Sequence, residues 1–558
     1  MFKKRIYDAT SLAAIFITTL MLPILILTYA EKNPLSVSLA GVLLPFSAYT
    51  LFAVLSRRSG RMVWYGLPFI FFSAFQVVLS YLFGNSVVAT DMFLNILTTN
   101  PSEATELLSN IYPAVIFVVV VYLPLLWLAA LHISRKIELK RSVRRRMFAI
   151  GGISFVVGCM ALIFGCRDNV WRVLRDEVFP VNVSYNLALA IVETHRINHY
   201  EQTSADFLYH AERRQHPDAS EVYVLVIGEA SRAANWQLYG YERATNPLLS
   251  QRDDIVAFRQ ITTQSNTTHK SVPMILSSVH TSQHRELYQR SGILALFNET
   301  GFTTYFISNQ QPQGAMIDKL ASDTNYTIYL AAPHHDGQLV EAMQRALAED
   351  GSQRILFVLH SYGSHYSYCQ RYPREFAVFQ PDDDVTVEKT NIDMIRNAYD
   401  NSILYTDYVL NEIISTLASR PEICSAMFYC ADHGEDLFDT EEGRFLHATP
   451  TVTYYQLHVA SLAWFSDRYR KLFNEKVEAA RYNANVPATT YSVFHTVADM
   501  ASIASPYIDF EASLVSFDYD YTSARYYLDD HNQAVPLNEN IGIDSSQRAL
   551  FERVGVEL

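Results

Sequence analysis

The chain has 558 residues, 49% of them hydrophobic and only 18% charged, with a net charge of −13 and a mean hydropathy of +0.04. That length exceeds one ordinary domain, and the charged share falls below the roughly 25% usual for soluble domains, which excludes a disordered chain and argues against a single soluble globule. Net acidity argues against a nucleic-acid binder, because neutralising phosphates needs a surplus of Lys and Arg.

Five apolar runs crowd the first third of the chain, at about residues 11–30, 35–56, 62–84, 111–133 and 147–165. Each is close to the ~20 residues that a helix needs to cross ~30 Å of hydrocarbon. They are too many, and too far from Met1, to be one cleavable signal peptide. Buried helices of a soluble core would carry more charge than these stretches do. Lys and Arg collect in cytoplasmic loops, and here they alternate. Lys3, Lys4 and Arg5 precede the first run, Arg57, Arg58 and Arg61 lie between the second and third, and seven basic residues from Arg135 to Arg146 separate the last two. The other connections carry only Lys32. The expected topology is five transmembrane helices with the N-terminus cytoplasmic, and everything after Gly165 emerges on the outer side.

Charge divides the same way. Residues 1–147 hold 14 Lys and Arg against 6 Asp and Glu, a net +8, and the remainder holds 30 against 51, a net −21. An acidic exported part suits divalent cations, although solubility alone accounts for much of that balance. The stretch 167–219 is mixed and connects the two, with an amphipathic helix expected over Asn186–Tyr200 at the membrane surface. His195 and His199 are spaced i,i+4 there, but no Glu-containing zinc motif surrounds them. The expected domains are therefore 1–166, 167–219 and 220–558.

Past residue 220, strand-like runs at Tyr223–Ile227, Thr303–Ile307, Ile355–Leu359 and Ala426–Cys430 alternate with helical patterns at Ile293–Glu299, Gly337–Ala348 and Tyr399–Leu417. That alternation predicts a doubly wound α/β domain with a largely parallel sheet. Chemistry in such sheets gathers beyond the carboxyl ends of the strands. Glu229 follows the first strand directly, and Asp432 and His433 follow the last in the same way. Singly, each reads as a helix-start anion or an ordinary turn; together, an oxygen and nitrogen set at neighbouring strand ends suits Zn²⁺ or Mn²⁺. Between them lies Gln264-Ser-Asn-Thr-Thr-His-Lys-Ser-Val-Pro-Met. Pro273 is a helix-start signal that places Thr267 and Thr268 near a helix N-terminus. A hydroxyl bound to metal there ionises at neutral pH and attacks phosphorus. A plain N-cap is the commoner use of such residues, and residue physics leaves the two about even.

These motifs, in this order, resemble the phosphoethanolamine transferases of the Gram-negative inner membrane, within the alkaline phosphatase and sulfatase superfamily. Gly228-Glu229 and the segment Leu238–Pro247 resemble the family's first metal-ligand segment. Registering on Ser271-Val-Pro273 places its nucleophilic threonine at Thr268, with Thr267 as the fallback. Its two histidines match His365 and His447, its Tyr-Asp-Asn segment matches Tyr399-Asp400-Asn401, and Asp432-His433-Gly434-Glu435 resembles its metal pair. In the membrane part, Asn95, Thr99 and Glu103 repeat an i, i+4, i+8 set that relatives carry for the ethanolamine end of the substrate.

The resemblance implies a zinc enzyme of the alkaline phosphatase type, a monomer in the inner membrane with its catalytic domain in the periplasm. Zinc is held by Glu229, Thr268, Asp432 and His433, and His365 and His447 bind phosphate oxygens or a second zinc. Phosphatidylethanolamine is the implied donor, and a glycolipid, lipid A or lipopolysaccharide core, the acceptor. A glycerophosphate transferase or phosphodiesterase on the same scaffold is the alternative enzyme, and a catalytically silent lipid sensor the alternative of another class. A sulfatase is disfavoured because no Cys-x-Pro-x-Arg sequence occurs.

The chain also departs from the family pattern. Relatives that modify lipid A often flank the nucleophile with cysteines, where this chain has Gln264 and Met274, and a lysine that some place near the site is Gly314. Cys369, Cys424 and Cys430 form an odd set outside the membrane part, for which no bridge is predicted. Asp336, before a helix, reads as its cap, Asp382–Asp384 as a solvated loop, and Glu435 and Asp436 as exposed turn carboxylates.

Overall fold

The computed structural model describes residues 8–30, 33–82, 88–98, 112–166, 169–215, 217–312, 314–383, 387–440, 443–538, 543 and 545–558. The chain falls into two compact units, one of residues 1–93, 104–191 and 438–445, the other of 94–103, 192–437 and 446–558.

A backbone surrounded by hydrocarbon must satisfy its own N–H and C=O groups, so long apolar runs become helices. Among the described residues, four of the first unit's helices are long and apolar enough to cross a membrane. They are α1 (Ala9–Ala30), α2 (Leu35–Ala53), α6 (Tyr112–Ser134) and α7 (Arg141–Gly165). The third apolar run is broken instead. Helices α3 (Ser59–Tyr65) and α4 (Leu67–Leu82) meet at a 59° bend, so the described helices make five spans only if this pair counts as one. The break falls where Gly66 ends α3 and Pro68 lacks the N–H that would continue the ladder. Between these and α6 lies α5 (Thr90–Thr98).

Helix α7 starts six residues before the apolar run, because its basic first turns have work at the end of α2. Arg144 donates to the carbonyls of Val54 at 2.7 Å and Leu55 at 3.1 Å. Farther along, Gly151, Gly158 and Gly165 form a seven-residue seam against α2. A Cβ at Gly158 would lie 2.9 Å from Leu44, and one at Gly165 only 2.1 Å from Ser36. Close backbone approach through small residues is how helices associate where no hydrophobic drive exists between them. The connecting helix α8 covers Val181–Asn198, five residues earlier than its amphipathic pattern suggested.

In the second unit, seven strands form one sheet. They are β1 (Glu221–Gly228), β2 (Ile255–Ala257), β3 (Thr303–Ser308), β4 (Tyr326–Tyr329), β5 (Arg354–His360), β6 (Cys424–Ala431) and β7 (Ser461–Phe465), in the order β2-β7-β6-β1-β5-β3-β4. The four expected strands are the four central ones, each one to three residues longer than its apolar run. All residues of β1 and β6 are buried, which is why they read as continuous apolar runs rather than alternating ones. Strand β7 runs antiparallel to β6 and β2, so the sheet is mixed. The helices that the sequence expected are α10 (Ile293–Glu299), α11 (Gly337–Glu349) and α12 (Ile392–Ala418), with α9 (Thr268–Ile275) before them.

Register decides what meets at the sheet's edge. Gly228 pairs with Ala431, Ile227 with His360, and Ser308 with His360. The residues just past these pairs, Glu229, Asp432, Ser361 and Asn309, therefore share one rim. At the opposite end of β1 the fully buried Glu221 receives both Nη donors of Arg213, at 2.7 and 3.2 Å, and the Tyr223 hydroxyl at 3.0 Å. Arg354 lies 3.5 Å away. Arg213→Leu removes the bidentate partner and leaves the carboxylate buried. We expect a loss of about 3 kcal/mol in urea unfolding, the low end for breaking a buried pair, because Tyr223 and Arg354 still face the charge.

Candidate metal and phosphoryl-transfer site

Immediately after β1 the chain turns at Ala230, a non-glycine residue at φ +51°. That turn leaves Glu229 pointing over the sheet rim, where it is 1% exposed. After β6, Asp432 takes two backbone donors on Oδ1, from Ala230 at 3.0 Å and His433 at 2.7 Å. Its other oxygen, Oδ2, is buried and accepts no hydrogen bond. His433 is fixed by Nδ1, which donates to the Gly434 carbonyl at 2.9 Å, so Nε2 presents its lone pair to the same place. Helix α9 starts at Thr268, with Thr267 as an N-cap that makes no side-chain cap bond. Pro273 is the sixth residue of α9 rather than its start; the helix begins five residues earlier than that signal suggested.

The donor atoms converge. Thr268 Oγ1 lies 3.2 Å from each Glu229 oxygen and 3.1 Å from His433 Nε2. His433 Nε2 lies 3.3 Å from Asp432 Oδ2 and 3.6 Å from Glu229 Oε1. A tetrahedral ion with bonds of about 2.0–2.2 Å has ligand-to-ligand edges of about 3.3–3.6 Å. The orphaned Oδ2, the oriented Nε2, the carboxylate and the hydroxyl therefore fit zinc in number, type and spacing. Thr267 is turned away, with its hydroxyl 3.4 Å from Ser265.

Electrostatics follow from burial without a counter-charge. Desolvation and the neighbouring Asp432 push the Glu229 carboxyl well above the carboxylate range, and burial likewise raises Asp432. Burial pulls His433 down to about 4. His365 and His447 are pulled to about 3, also by burial first. Both are only partly buried, as is Thr268, whereas Glu229, Asp432 and His433 are fully enclosed. The open side of the site thus carries the hydroxyl and two neutral imidazoles. His365 Nδ1 donates to the Tyr366 carbonyl at 2.7 Å. His447 Nδ1 meets Glu435 Oε1 at 3.1 Å, and its ring lies 4.1 Å from that of His433.

A family model described as Sulfatase matches residues 221–503, half of the chain, and one described as Phosphoethanolamine transferase EptA/EptB matches residues 43–193. The chain belongs to the phosphoethanolamine transferase family of the alkaline phosphatase and sulfatase superfamily. The Kdo(2)-lipid A phosphoethanolamine 7''-transferase of Salmonella typhimurium is 31% identical over 45% of this chain and 46% of its own length. The chain spans less than half the length of the first curated relatives it matches. The integral membrane lipooligosaccharide phosphoethanolamine transferase A of Neisseria meningitidis has the same fold, with a TM-score of 0.72 over 90% of this chain and 98% of that one, at 20% identity. A zinc complex of the C-terminal periplasmic domain of EcEptC from Escherichia coli aligns with a TM-score of 0.53 over 60% of this chain and 98% of its own, at 21% identity.

Several family segments serve as scaffold rather than ligands. Tyr399 donates to the Ala230 carbonyl at 2.6 Å and accepts from the Arg232 amide at 3.0 Å, pinning the turn after Glu229. Asp400 receives Asn235, Tyr241 and Arg243 at 2.5–2.9 Å. Three expectations need correction. Asp382 is fully buried, holding Tyr372 at 2.6 Å and Asn401 at 3.1 Å, because the loop folds back on α12. Glu435 and Asp436 are also fully buried, each with hydrogen-bonding partners that solvate it. Asp336 makes no cap bond to its own helix. Sequence reasoning missed Gln310, whose amide donates to Glu229 Oε2 at 3.0 Å; no motif surrounds it. Asn95 lies on α5, and Thr99 and Glu103 lie outside the described residues.

Metal uptake by such a site must displace protons. The histidine is already neutral at pH 7, so the protons come from the two raised carboxyls. As pH falls those carboxyls hold their protons more fully, so affinity weakens by about tenfold per unit for each proton displaced. Calorimetric zinc titration of the metal-free chain in two buffers of different ionisation enthalpy is expected to show net proton release at pH 7.

Proposed function

We propose that the chain transfers phosphoethanolamine from phosphatidylethanolamine to an outer-leaflet glycolipid, lipid A or lipopolysaccharide core, through a covalent intermediate on Thr268. The observation that carries this reading is Thr268 Oγ1 within 3.2 Å of Glu229 and His433 on the open side of a buried ligand set. The relatives named as phosphoethanolamine transferases support the transferred group and the class of acceptor.

In the first step Thr268 Oγ1 bonds to phosphorus as the diacylglycerol oxygen leaves, and the threonine's proton passes to that oxygen. His365 is suited to carry it. Its Nδ1 hydrogen is committed to a carbonyl, so Nε2 offers a lone pair that takes a proton and returns it. In the second step the acceptor's hydroxyl or protonated phosphate oxygen attacks phosphorus, and its proton passes through the same nitrogen to Thr268 Oγ1, which leaves as the free hydroxyl. His447, aligned by Glu435, steadies the phosphate oxygens or takes part in a second zinc site. Zinc held by Glu229, Thr268, Asp432 and His433 supplies the charge that acidifies the hydroxyl and stabilises the phosphoryl oxygens.

In this reading residues 1–166 anchor the protein in the bacterial inner membrane by five spans. The N-terminus is cytoplasmic, residues 167–219 follow the membrane surface, and 220–558 form a periplasmic catalytic domain of a monomer. Asn95, Thr99 and Glu103 hold the donor's ethanolamine end, with Glu103 toward the ammonium.

Acid-quenched protein from a reaction with phosphatidylethanolamine is expected to carry an adduct of about 123 Da on Thr268, found by peptide mass spectrometry. With phosphatidylglycerol as donor instead, an increment of about 154 Da would name glycerol phosphate as the transferred group. Thr268→Ala is expected to lose both adduct and transfer, and transfer that survives this change would sink the mechanism.

A further inference from the structure

Asp336 opens α11 and belongs to neither a strand end nor the ligand set, yet it is only 4% exposed. Its carboxylate receives three donors from two other loops. Tyr362 N–H donates to Oδ1 at 2.8 Å and Gly363 N–H to Oδ2 at 2.8 Å, both in the loop after β5. Asn309 Nδ2 donates to Oδ1 at 2.7 Å from the loop after β3. Each loop grips Glu229. Gly363, at φ +51°, presses so closely that a Cβ would lie 2.7 Å from the Glu229 carbonyl oxygen and 2.9 Å from its nitrogen. The next residue, Ser364, donates its N–H to that carbonyl at 3.0 Å. Gln310, next to Asn309, donates to Glu229 Oε2 at 3.0 Å and to the Ser361 carbonyl at 2.9 Å. The loop after β5 also carries His365.

We propose that Asp336 is a positioning residue for the metal centre, locking the loops after β3 and β5 together so that Gln310 and Gly363 hold Glu229 in its ligating orientation. The inference rests on the zinc reading of the site. It explains why a carboxylate is buried beside three donors and no helix cap of its own. Outer partners that orient a ligand commonly change metal affinity by about 10–100-fold when removed.

The test is zinc titration of the full-length protein in detergent. Asp336→Asn keeps the volume but turns an amide donor against a set of donors, and is expected to weaken zinc binding by about 10–100-fold. The absorption bands of the cobalt-substituted protein should shift with it. Asp407→Asn is the control. Asp407 is a fully buried carboxylate that also takes two backbone donors, from Leu248 and Leu249 at 2.9 Å each, near the far end of the β1–β2 connection and not from the loops after β3 and β5 that hold Glu229. It should lower thermal stability and leave zinc affinity unchanged. Should Asp336→Asn fail to fold, Asn309→Ala decides, with an expected weakening of about tenfold. Folded variants with wild-type zinc affinity and cobalt spectrum would overturn the proposal. A wild-type chain that takes up no zinc would overturn the metal reading itself.

Discussion

Two carboxylates cannot both stay ionised in a dry site without a cation. Strands β1 and β6 are parallel neighbours with Gly228 opposite Ala431, so Glu229 and Asp432, one residue beyond each, are forced side by side. With His433, their ligand atoms all lie within 4.8 Å of one another. Burying even one ion costs several kcal/mol after relaxation, and here two negative groups add mutual repulsion. The basic residue nearest in sequence does not relieve them: Arg232 directs donors to Asn235 and to the Glu435 carbonyl. A divalent ion would turn the same repulsion into coordination, so the candidate metal site is a direct consequence of strand register.

Such a site must be held open against collapse or protonation, and the surroundings do this with backbone. Asp432 Oδ1 is tied by two amides, His433 Nδ1 by a carbonyl, and the turn after Glu229 by the Tyr399 hydroxyl. Backbone groups cannot swing away as side chains do, so the remaining atoms, Asp432 Oδ2 and His433 Nε2, have few alternatives to facing the centre. The cost is a dense layer of buried polar groups behind the site, including Asp400, Asn401 and Glu435. Each is satisfied by hydrogen bonds, as burial in a low-dielectric interior demands.

This division decides what the sequence could reveal. The central strands were legible because β1 and β6 are buried on both faces, and the Glu229, Asp432 and His433 cluster because these residues follow those strands directly. Edge strand β4 was not, since Tyr326 and Thr327 are exposed and the run lacks an apolar signal. Local signals also misled where tertiary contacts overrode them. Pro273 suggested a helix start but sits inside α9, and Asp336 suggested a cap but serves a loop 26 residues away. Acidic residues at Asp382 and Glu435 looked solvated because nothing in a linear pattern shows Tyr372 or Tyr368 folding over them. The bend at Gly66 had a sequence signal in Gly-Leu-Pro, which a hydropathy window averages away.

The segment around Thr268 shows how a departure from family pattern is absorbed. Where relatives that modify lipid A often place cysteines, Gln264 and Met274 are both fully buried. Gln264 donates to Thr281 at 2.8 Å, accepts from Thr490 at 3.2 Å, and its own amide donates to the Thr490 hydroxyl at 3.1 Å. Hydrogen bonds of this kind contribute about 1 kcal/mol each, so the two made by the Gln264 side chain reach only the low end of the roughly 2–4 kcal/mol of a disulfide. Unlike a disulfide, they constrain only the folded chain and are indifferent to oxidation. All five cysteines are free, so the geometry around Thr268 is set without redox chemistry, by side chains that need only the fold already built by β1 and β6.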